Sequence, residues 1–331
     1  MLNKATILIT GGTGSFGKAF VKYVLENYDP QKIIIYSRDE YKQFEMQTEF
    51  IKYKSKLRFF IGDVRDKERL FRAFEGVDYV IHAAAMKHVH ACEYNPIEAV
   101  KTNIIGAENI IEASIEKRVK KVVALSTDKA VNPVNLYGAT KLVSDKLFIA
   151  ANAYVGDKDI NFSVVRYGNV AGSRGSVIPI FAKCISEGKD VLTLTDERMT
   201  RFWIGMEQAI ELVILALNKA NGGETYISKI PSFNIIDLAR AMAPDAKIQI
   251  IGIQEGEKLH ECMITEEDSL NTYEFKDYYI IYPQMKWNSK QNSIPLGVKV
   301  QEGFAYTSGN NSTWLTVGDI REKLIPINKL E

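Results

Sequence analysis

Cysteine is scarce: 331 residues include three, Cys92, Cys184 and Cys262. The number is odd, and none stands in a Cys-x-x-Cys pair or beside histidine at ligand spacing. That argues against a disulfide framework and a structural zinc, and fits a reducing cytoplasm. Charge of one sign is lacking as well. The 42 Lys and Arg balance 41 Asp and Glu to a formal net charge of +1. No global field exists to hold a polyanion, so nucleic acid is disfavoured as a partner. An anionic small molecule would have to be met by local cations. Long apolar runs are missing; stretches such as Val77–Ile81 are strand-length, far short of a membrane span. The N-terminus has no basic region followed by an apolar stretch and a cleavage site, and runs directly into Ala5-Thr-Ile-Leu-Ile-Thr10. There is no internal repeat and no low-complexity segment. The expectation is a soluble cytoplasmic protein, with 46% hydrophobic residues supplying ample core.

What is present is alternation. Apolar runs at Thr6–Thr10, Lys32–Tyr36, Leu57–Ile61, Tyr79–His82, Lys121–Leu125 and Phe162–Arg166 read as strands. Amphipathic stretches at Lys18–Asn27, Asp39–Lys54, Lys67–Phe74, Pro96–Arg118 and Leu136–Tyr154 lie between them. Nearly continuous apolar strands separated by helices predict an α/β fold: a Rossmann-type, doubly wound parallel sheet with helices on both faces. After Asn169 the rhythm loosens, with helices expected at Ile178–Glu187, Glu207–Ala220, Ile235–Ala243 and near Val317–Leu324. Residues 1–170 are therefore expected to bind a dinucleotide. Residues 171–331 are expected to form a smaller α/β substrate lobe, with a boundary left open because the chain can cross back to the sheet.

Gly11-Gly-Thr-Gly-Ser-Phe-Gly17 sits where the first strand turns into the first helix. Gly11, Gly14 and Gly17 there permit a tight turn and a close backbone approach to a pyrophosphate, which meets the helix N-terminus. The second strand ends Tyr36-Ser37-Arg38, followed by Asp39-Glu40-Tyr41-Lys42. An NAD site usually carries an acidic residue at this point, for the ribose 2′-hydroxyl. A hydroxyl and a guanidinium suit a 2′-phosphate and favour NADP; the alternative is a solvated helix end with Arg38 paired to Asp39 or Glu40. Asp63 and Val64 would then flank the adenine, and His82–Ala85 would pass beneath the adenosine-side ribose and pyrophosphate.

Ser126-Thr-Asp-Lys129 follows the fifth strand, and Tyr137-Gly-Ala-Thr-Lys141 opens the next helix. Tyr137 and Lys141 are four apart and share a helical face. Lysine and an oxidised nicotinamide both favour phenolate, and moving a tyrosine from ~10 toward ~7 takes ~4 kcal/mol. Tyr137 is thus a candidate base for a hydroxyl whose carbon loses hydride, with Ser126 or Thr127 bonding the oxygen. Asp128 and Lys129 add an acid and a base that plain hydroxyl oxidation does not need, unless they merely pair with each other. Next to oxidation chemistry they suggest elimination: a C4 ketone acidifies C5, a neutral lysine removes that proton, and the aspartic acid protonates the leaving C6 hydroxyl. Burial or a nearby cation is expected to lower the lysine pKa for this. His82 reads as a packed histidine, His88 and His260 have no metal-ligand partners, and Tyr278–Tyr282 reads as a core or edge strand. No metal site is expected.

With these residues assembled, the chain resembles the extended short-chain dehydrogenase/reductase family, and within it the inverting UDP-N-acetylglucosamine 4,6-dehydratases of pseudaminic acid and surface-glycan biosynthesis. The resemblance runs through Gly11–Gly17, Phe59–Val64, His82–Val89, Leu125–Pro133, Leu136–Lys141, Val165–Val170, Gly172–Ser176, Met199–Trp203 and Gly256–Glu261. It implies NADP contacts at Thr13, Gly14, Ser15, Phe16, Ser37, Arg38, Asp39, Glu40, Tyr41, Lys42, Asp63, Val64, Ala83, Tyr137 and Lys141. It makes Lys129 the C5 base and Asp128 the C6 acid. It also implies that Lys87, Asn169, Val177, Ile178, Pro179, Ile180 and Arg201 line a UDP-sugar, and that the protein is a homo-oligomer, dimer to hexamer. The implied product is UDP-2-acetamido-2,6-dideoxy-β-L-arabino-hex-4-ulose. Two positions depart from the family. His90 replaces a proline, and Gly252-Ile-Gln-Glu-Gly-Glu-Lys258 has Gln254 where the family has an arginine on the nucleotide diphosphate, with Glu255 beside it. A nucleotide-sugar epimerase or reductase would use the same Tyr–Lys pair, and a non-catalytic NADP sensor would use the same pocket.

Overall fold

Strands that are buried on both faces need apolar side chains pointing both ways, and the first half of the chain supplies them. The computed structural model describes residues 1–173, 176–285 and 296–328. In chain order β1 (Thr6–Thr10), α1 (Ser15–Asn27), β2 (Lys32–Ser37), α2 (Glu40–Glu49), β3 (Leu57–Ile61), α3 (Lys67–Ala73) and β4 (Tyr79–His82) build the first half-sheet. The second follows with α4 (Val89–Tyr94), α5 (Pro96–Val100), α6 (Gly106–Glu116), β5 (Lys121–Leu125), α7 (Leu136–Ala151) and β6 (Asn161–Arg166). The expected Pro96–Arg118 helix is broken by a π turn at Lys101–Ile105. There Asn103 turns inward, accepting from Met86 N at 2.8 Å and donating to Met86 O and Thr140 Oγ1 at 2.9 Å each. The turn clamps the segment after β4 onto α7.

Beyond residue 170 the elements shorten. They are β7 (Asn169–Val170), α8 (Val177–Ser186), β8 (Val191–Leu194), β9 (Thr200–Ile204), α9 (Met206–Lys219), β10 (Thr225–Ser228), β11 (Ser232–Asn234), α10 (Ile235–Met242) and β12 (Lys247–Ile250). They end with β13 (Cys262–Ile264), β14 (Thr272–Glu274), β15 (Tyr278–Ile281), β16 (Val298–Lys299), β17 (Tyr306–Thr307) and α11 (Val317–Asn328).

Among the described residues the main sheet runs β16-β14-β15-β10-β6-β5-β4-β1-β2-β3. From β3 to β10 every pairing is parallel, and β15, β14 and β16 extend it antiparallel. The order 3-2-1-4-5-6 reverses between β1 and β4, the crevice where such sheets hold ligands. The chain does cross back: β10 joins β6, and α9 packs against α1, β5 and β6. Ile7, Ile9, Val123 and Val165 pack with α1 and α9 on one face; Leu8, Ile34, Val80 and Val122 pack with α3, α6 and α7 on the other. A separate core of Phe181, Leu192, Leu194, Trp203, Phe233 and Leu238 holds the smaller lobe together. Arg174 and Gly175 of the Gly172–Ser176 motif, and part of the irregular stretch 288–311, lie outside the described residues.

Candidate active site

The loop between β1 and α1 is shaped for a phosphate. Gly11 has φ +64°, and a Cβ there would lie 2.9 Å from Ala84 N, so the turn nests under the end of β4. A Cβ on Gly17 would lie 2.5 Å from Gly12 Cα, so glycine lets α1 sit directly on the loop. Gly14 is the N-cap of α1 and makes no side-chain cap bond, leaving first-turn N–H groups for an anion. Thr13 Oγ1 meets Ser37 Oγ at 2.7 Å, joining the loop to the end of β2. Arg38 does not follow the alternative pairing to the helix it precedes. Asp39 caps α2 through Lys42 N at 3.0 Å and pairs with the Lys42 ammonium, while Arg38 lies 3.7 Å from Asp63 Oδ2. Asp63 is gripped by Arg65 at 2.7 Å. Val64 is buried against Gly106. Ser15, Phe16, Glu40 and Tyr41 fall in the first turns of α1 and α2, and Ala83 directly follows β4.

On α7, Tyr137, Lys141 and Asp145 recur at four-residue spacing on one buried face. Asn135 caps this helix, accepting from Gly138 N at 2.8 Å, while its amide donates to Gly256 O at 2.8 Å. One residue therefore fixes both Tyr137 and the 252–258 loop. The sequence left two hydroxyls open for the Tyr137 side. The structure separates them: Ser126 donates to Asp145 Oδ2 at 2.5 Å, and Thr127 meets the Tyr137 hydroxyl. Burial pushes Tyr137 up to about 12, outweighing the Lys129 charge and the Thr127 hydroxyl. The expected descent of the phenol toward neutrality is thus not supplied by the chain's own groups. Burial holds Lys141 below its ordinary value and Asp145 above its own. His82 is fully enclosed, bonded to Thr10 Oγ1 at 2.8 Å, and lowered to about 3 by burial and then by Lys141.

Asp128–Ala130 forms a 3₁₀ turn at the carboxyl end of β5. The Lys129 ammonium lies 3.2 Å from Asp128 Oδ1 and 3.0 Å from Glu261 Oε1. The Arg201 Nε is 3.8 Å from the same glutamate oxygen. Asp128 and Glu261 are buried, and Asp128 Oδ2, Glu261 Oε2 and Asn169 Oδ1 have no hydrogen-bond partner. Two of these oxygens belong to the carboxyls that flank Lys129, where a polar ligand would find partners. Burial raises the Asp128 carboxyl despite Lys129, which suits an acid. Glu261 moves the other way: Lys129 and Arg201 outweigh its burial and hold it ionised. Lys129 itself corrects an expectation. Burial would lower it, but the Asp128 and Glu261 carboxylates raise it above the ordinary lysine value, so it rests as an ammonium.

The substrate-side positions divide. The Lys87 ammonium is lowered by burial and by Lys129 nearby. Asn169 begins β7, next to Gly168, where a Cβ would come 3.3 Å from Asp128 Oδ2. Arg201 donates to Thr200 O at 2.7 Å and Leu259 O at 3.1 Å, so much of its fork is committed to backbone. On α8, Ile178 is buried in the core of the smaller lobe, Val177 and Pro179 are half-buried and Ile180 is exposed. Gln254 is exposed, its amide donating to Gly252 O at 2.9 Å. Spacing gave no warning of Glu261 or Asn103, since each reaches the site through tertiary contact alone; Asp145 was missed although it continues the Tyr137–Lys141 spacing by one more turn of α7. Among the described residues no cluster is arranged to hold a metal, and no helix is long and apolar enough to cross a membrane.

Comparison with known proteins gives the family of the chain. A family described as "Polysaccharide biosynthesis protein" matches residues 7–283. A Campylobacter jejuni protein named UDP-N-acetylglucosamine 4,6-dehydratase (inverting) is 58% identical over 97% of this chain and 98% of its own. A Rickettsia conorii protein named UDP-glucose 4-epimerase is 43% identical over 98% and 97%. Among solved structures, Pen from Bacillus thuringiensis superposes with a TM-score of 0.89 at 40% identity, over 98% of this chain and 99% of that one. A dTDP-glucose 4,6-dehydratase from Streptomyces venezuelae, solved with NAD and TYD, shares the fold at a TM-score of 0.69 and 23% identity, over 77% and 86%. The chain belongs to the polysaccharide biosynthesis protein family, among the extended short-chain dehydrogenase/reductases that include the inverting UDP-N-acetylglucosamine 4,6-dehydratases.

Proposed function

We propose that the chain is an NADP-dependent inverting 4,6-dehydratase, a hydro-lyase that removes water from UDP-N-acetylglucosamine. The observation that carries this reading is the pairing of the buried Asp128 with the partly buried Lys129, set beside Tyr137 and Lys141. An epimerase needs only the second pair. The 58%-identical relative is named for this dehydration and the 43%-identical one for epimerisation, which favours the same reading. The uncapped helix start at Gly14, the Gly17 contact and the Thr13–Ser37 pair fit a dinucleotide. Arg38, 60% exposed at the end of β2, fits a 2′-phosphate. Residues 1–170 would hold this cofactor, with the later elements gripping the UDP-sugar, in a cytoplasmic homo-oligomer.

The bound nicotinamide supplies hydride acceptance from C4 and its later return to C6. Tyr137 takes the proton of the C4 hydroxyl, with Thr127 bonding beside it and the Lys141 charge holding the phenolate. Lys129, once neutral, takes the C5 proton that the C4 ketone has acidified. Asp128 gives its proton to the C6 hydroxyl as the C6–O bond breaks. Lys129 then governs the proton returned to C5, and with it the L-arabino configuration. Lys87, Asn169 and Arg201 would orient the sugar and its phosphates.

Incubation with UDP-N-acetylglucosamine in deuterated water, followed by mass spectrometry and proton NMR, tests the assignment. The expected product has lost one water and carries deuterium at C5 in the L-arabino form. A product of unchanged mass would indicate epimerisation, and NADP binding without turnover would indicate a sensor.

A further inference from the structure

An acid and a base that touch each other are at risk of cancelling. If Asp128 simply neutralised Lys129, the aspartate would be ionised and the lysine protonated, the wrong state of each for elimination. A third group stands in the way of that. Glu261 brings its carboxylate to 3.0 Å from the Lys129 ammonium, closer than the 3.2 Å of Asp128. Its backbone is fixed on both sides: Glu261 N donates to Ser308 Oγ at 2.9 Å, and Ser308 N donates to Glu261 O at 2.8 Å. Ser308 Oγ in turn meets Thr200 Oγ1 at 2.7 Å, and Thr200 Oγ1 meets His260 Nδ1 at 2.8 Å. These bonds fix the backbone from which the Glu261 side chain reaches Lys129.

We propose that Glu261 is the positioning residue that serves as the ionised partner and proton acceptor of Lys129, leaving Asp128 free to keep its proton. This rests on the dehydratase reading. A proton passes from Lys129 Nζ to Glu261 Oε1, giving a neutral amine and a neutral glutamic acid without net charge change. The amine takes the C5 proton, the C5–H electron pair forms the C5–C6 double bond, and the Asp128 proton leaves with the C6 oxygen as water. When Lys129 has returned its proton to C5, Tyr137 holds the former C4-hydroxyl proton. Tyr137, Asp128, Lys129 and Glu261 together then carry as many protons as before the cycle.

The groups facing this cluster accord with that division of labour. Lys129, Arg201 and Lys258 face Glu261, which holds its carboxyl below the ordinary range. Burial raises Asp128, faced by Lys129, Glu261 and Thr127, while Tyr137 is close enough to feel its charge. Lys129 faces both carboxyls and Arg201, and Lys87 feels its charge. Two carboxyls in one cluster pushed in opposite directions are how acid and base roles are divided.

Glu261→Gln keeps shape and removes charge, and Glu261→Asp keeps charge. Under single-turnover conditions with UDP-N-acetylglucosamine, Glu261→Gln should still oxidise C4, seen as absorbance at 340 nm, with KM little changed. Water loss should fall at least ~100-fold. Activity that requires protonated Asp128 is lost as pH rises through its pKa. In Glu261→Gln, Lys129 has only Asp128 to pair with, so that pKa falls and the descending limb of kcat/KM moves to lower pH. Glu261→Asp should restore part of the rate and of the limb position. Full activity in Glu261→Gln, or a slower rate with an unmoved limb, overturns the role. A wild-type protein that removes no water overturns the dehydratase reading, and this role falls with it.

Discussion

Replacing Lys129 by Met removes the ammonium while nearly preserving volume, and the structure sets what that should cost. Asp128 Oδ1 and Glu261 Oε1 lose their partner at 3.2 and 3.0 Å, with side chains only 1% and 3% exposed. Breaking a buried pair by removing one member costs about 3–5 kcal/mol. Two features reduce that figure. Arg201 stays 3.8 Å from Glu261, and the lysine side chain is 23% exposed, so solvent already screens part of the interaction. A loss of ~2–3 kcal/mol at pH 7 is expected on this basis. Its pH dependence has a definite sign. In the wild type, the lowered Glu261 pKa contributes stability above the unfolded value of ~4.3, and that stability is lost as pH falls through the folded value. In Lys129→Met, both buried carboxyls titrate above their unfolded values, so the folded variant binds extra protons and weakens as pH rises past ~4. The gap between the two proteins should therefore be widest near neutrality and narrow toward pH 5. Urea unfolding of both at pH 7 and pH 5 measures it. NADP affinity should stay within a few-fold, and dehydration should fall at least ~100-fold. Equal stability at pH 7, a gap that widens on acidification, or normal dehydration would each refute the role given to this lysine.

Arg38→Ala should weaken NADP by ~10-fold, about 1.5 kcal/mol at the low end for a charged hydrogen bond because the side chain is exposed, and leave NAD unchanged in titration calorimetry; equal losses would move Arg38 away from the 2′-phosphate. Gly138→Ala puts a Cβ 2.1 Å from Lys129 O, so the elimination turn must shift: thermal unfolding should show an overpacking loss of ~1–3 kcal/mol, and water loss should nearly vanish. Gln254→Arg places a guanidinium on an exposed loop where the amide now bonds Gly252 O; steady-state kinetics should give a KM for the UDP-sugar about 10-fold lower, the value of a charge-assisted bond, and an unchanged KM would remove this loop from the diphosphate.

The parallel half of the sheet was legible because its strands are apolar on both faces and their helices carry clear periodicity. β1, β3, β4 and β5 stand where the apolar runs placed them, and β2 extends one residue further, to Ser37. Of the later strands only β15, at Tyr278–Ile281, was read from its pattern; others are held by partners remote in sequence rather than by local pattern: β8 pairs with β12, and β9 with β7 and β11. The π turn at Lys101–Ile105 was hidden inside an unbroken helical pattern, and the Asn103 bond to Met86 made from it is a tertiary contact that local spacing does not show. The site divides in the same way. Motifs that lie on one element, Gly11–Gly17 and Tyr137–Lys141, could be read from spacing. The charge state of Lys129 could not, because Glu261 approaches from another part of the chain, braced by Ser308.

Oxidation and elimination must occur in order, since C5 is not acidic until C4 is a ketone, and the geometry gives a physical basis for coupling them. Tyr137 stands on α7 and Lys129 on the turn after β5, but the two elements cannot move independently. Gly138 lies so close to Lys129 O that no side chain fits between, and the Thr127 hydroxyl donates to Asp128 at 3.0 Å while meeting Tyr137. A change of charge at the phenol is therefore felt two hydrogen bonds away at Asp128, the acid proposed for release of water. The same closeness explains why the lysine rests protonated. In the proposed mechanism a neutral base ready before the ketone forms would gain nothing, whereas an ammonium held between Asp128 and Glu261 keeps two buried carboxyls compatible with folding.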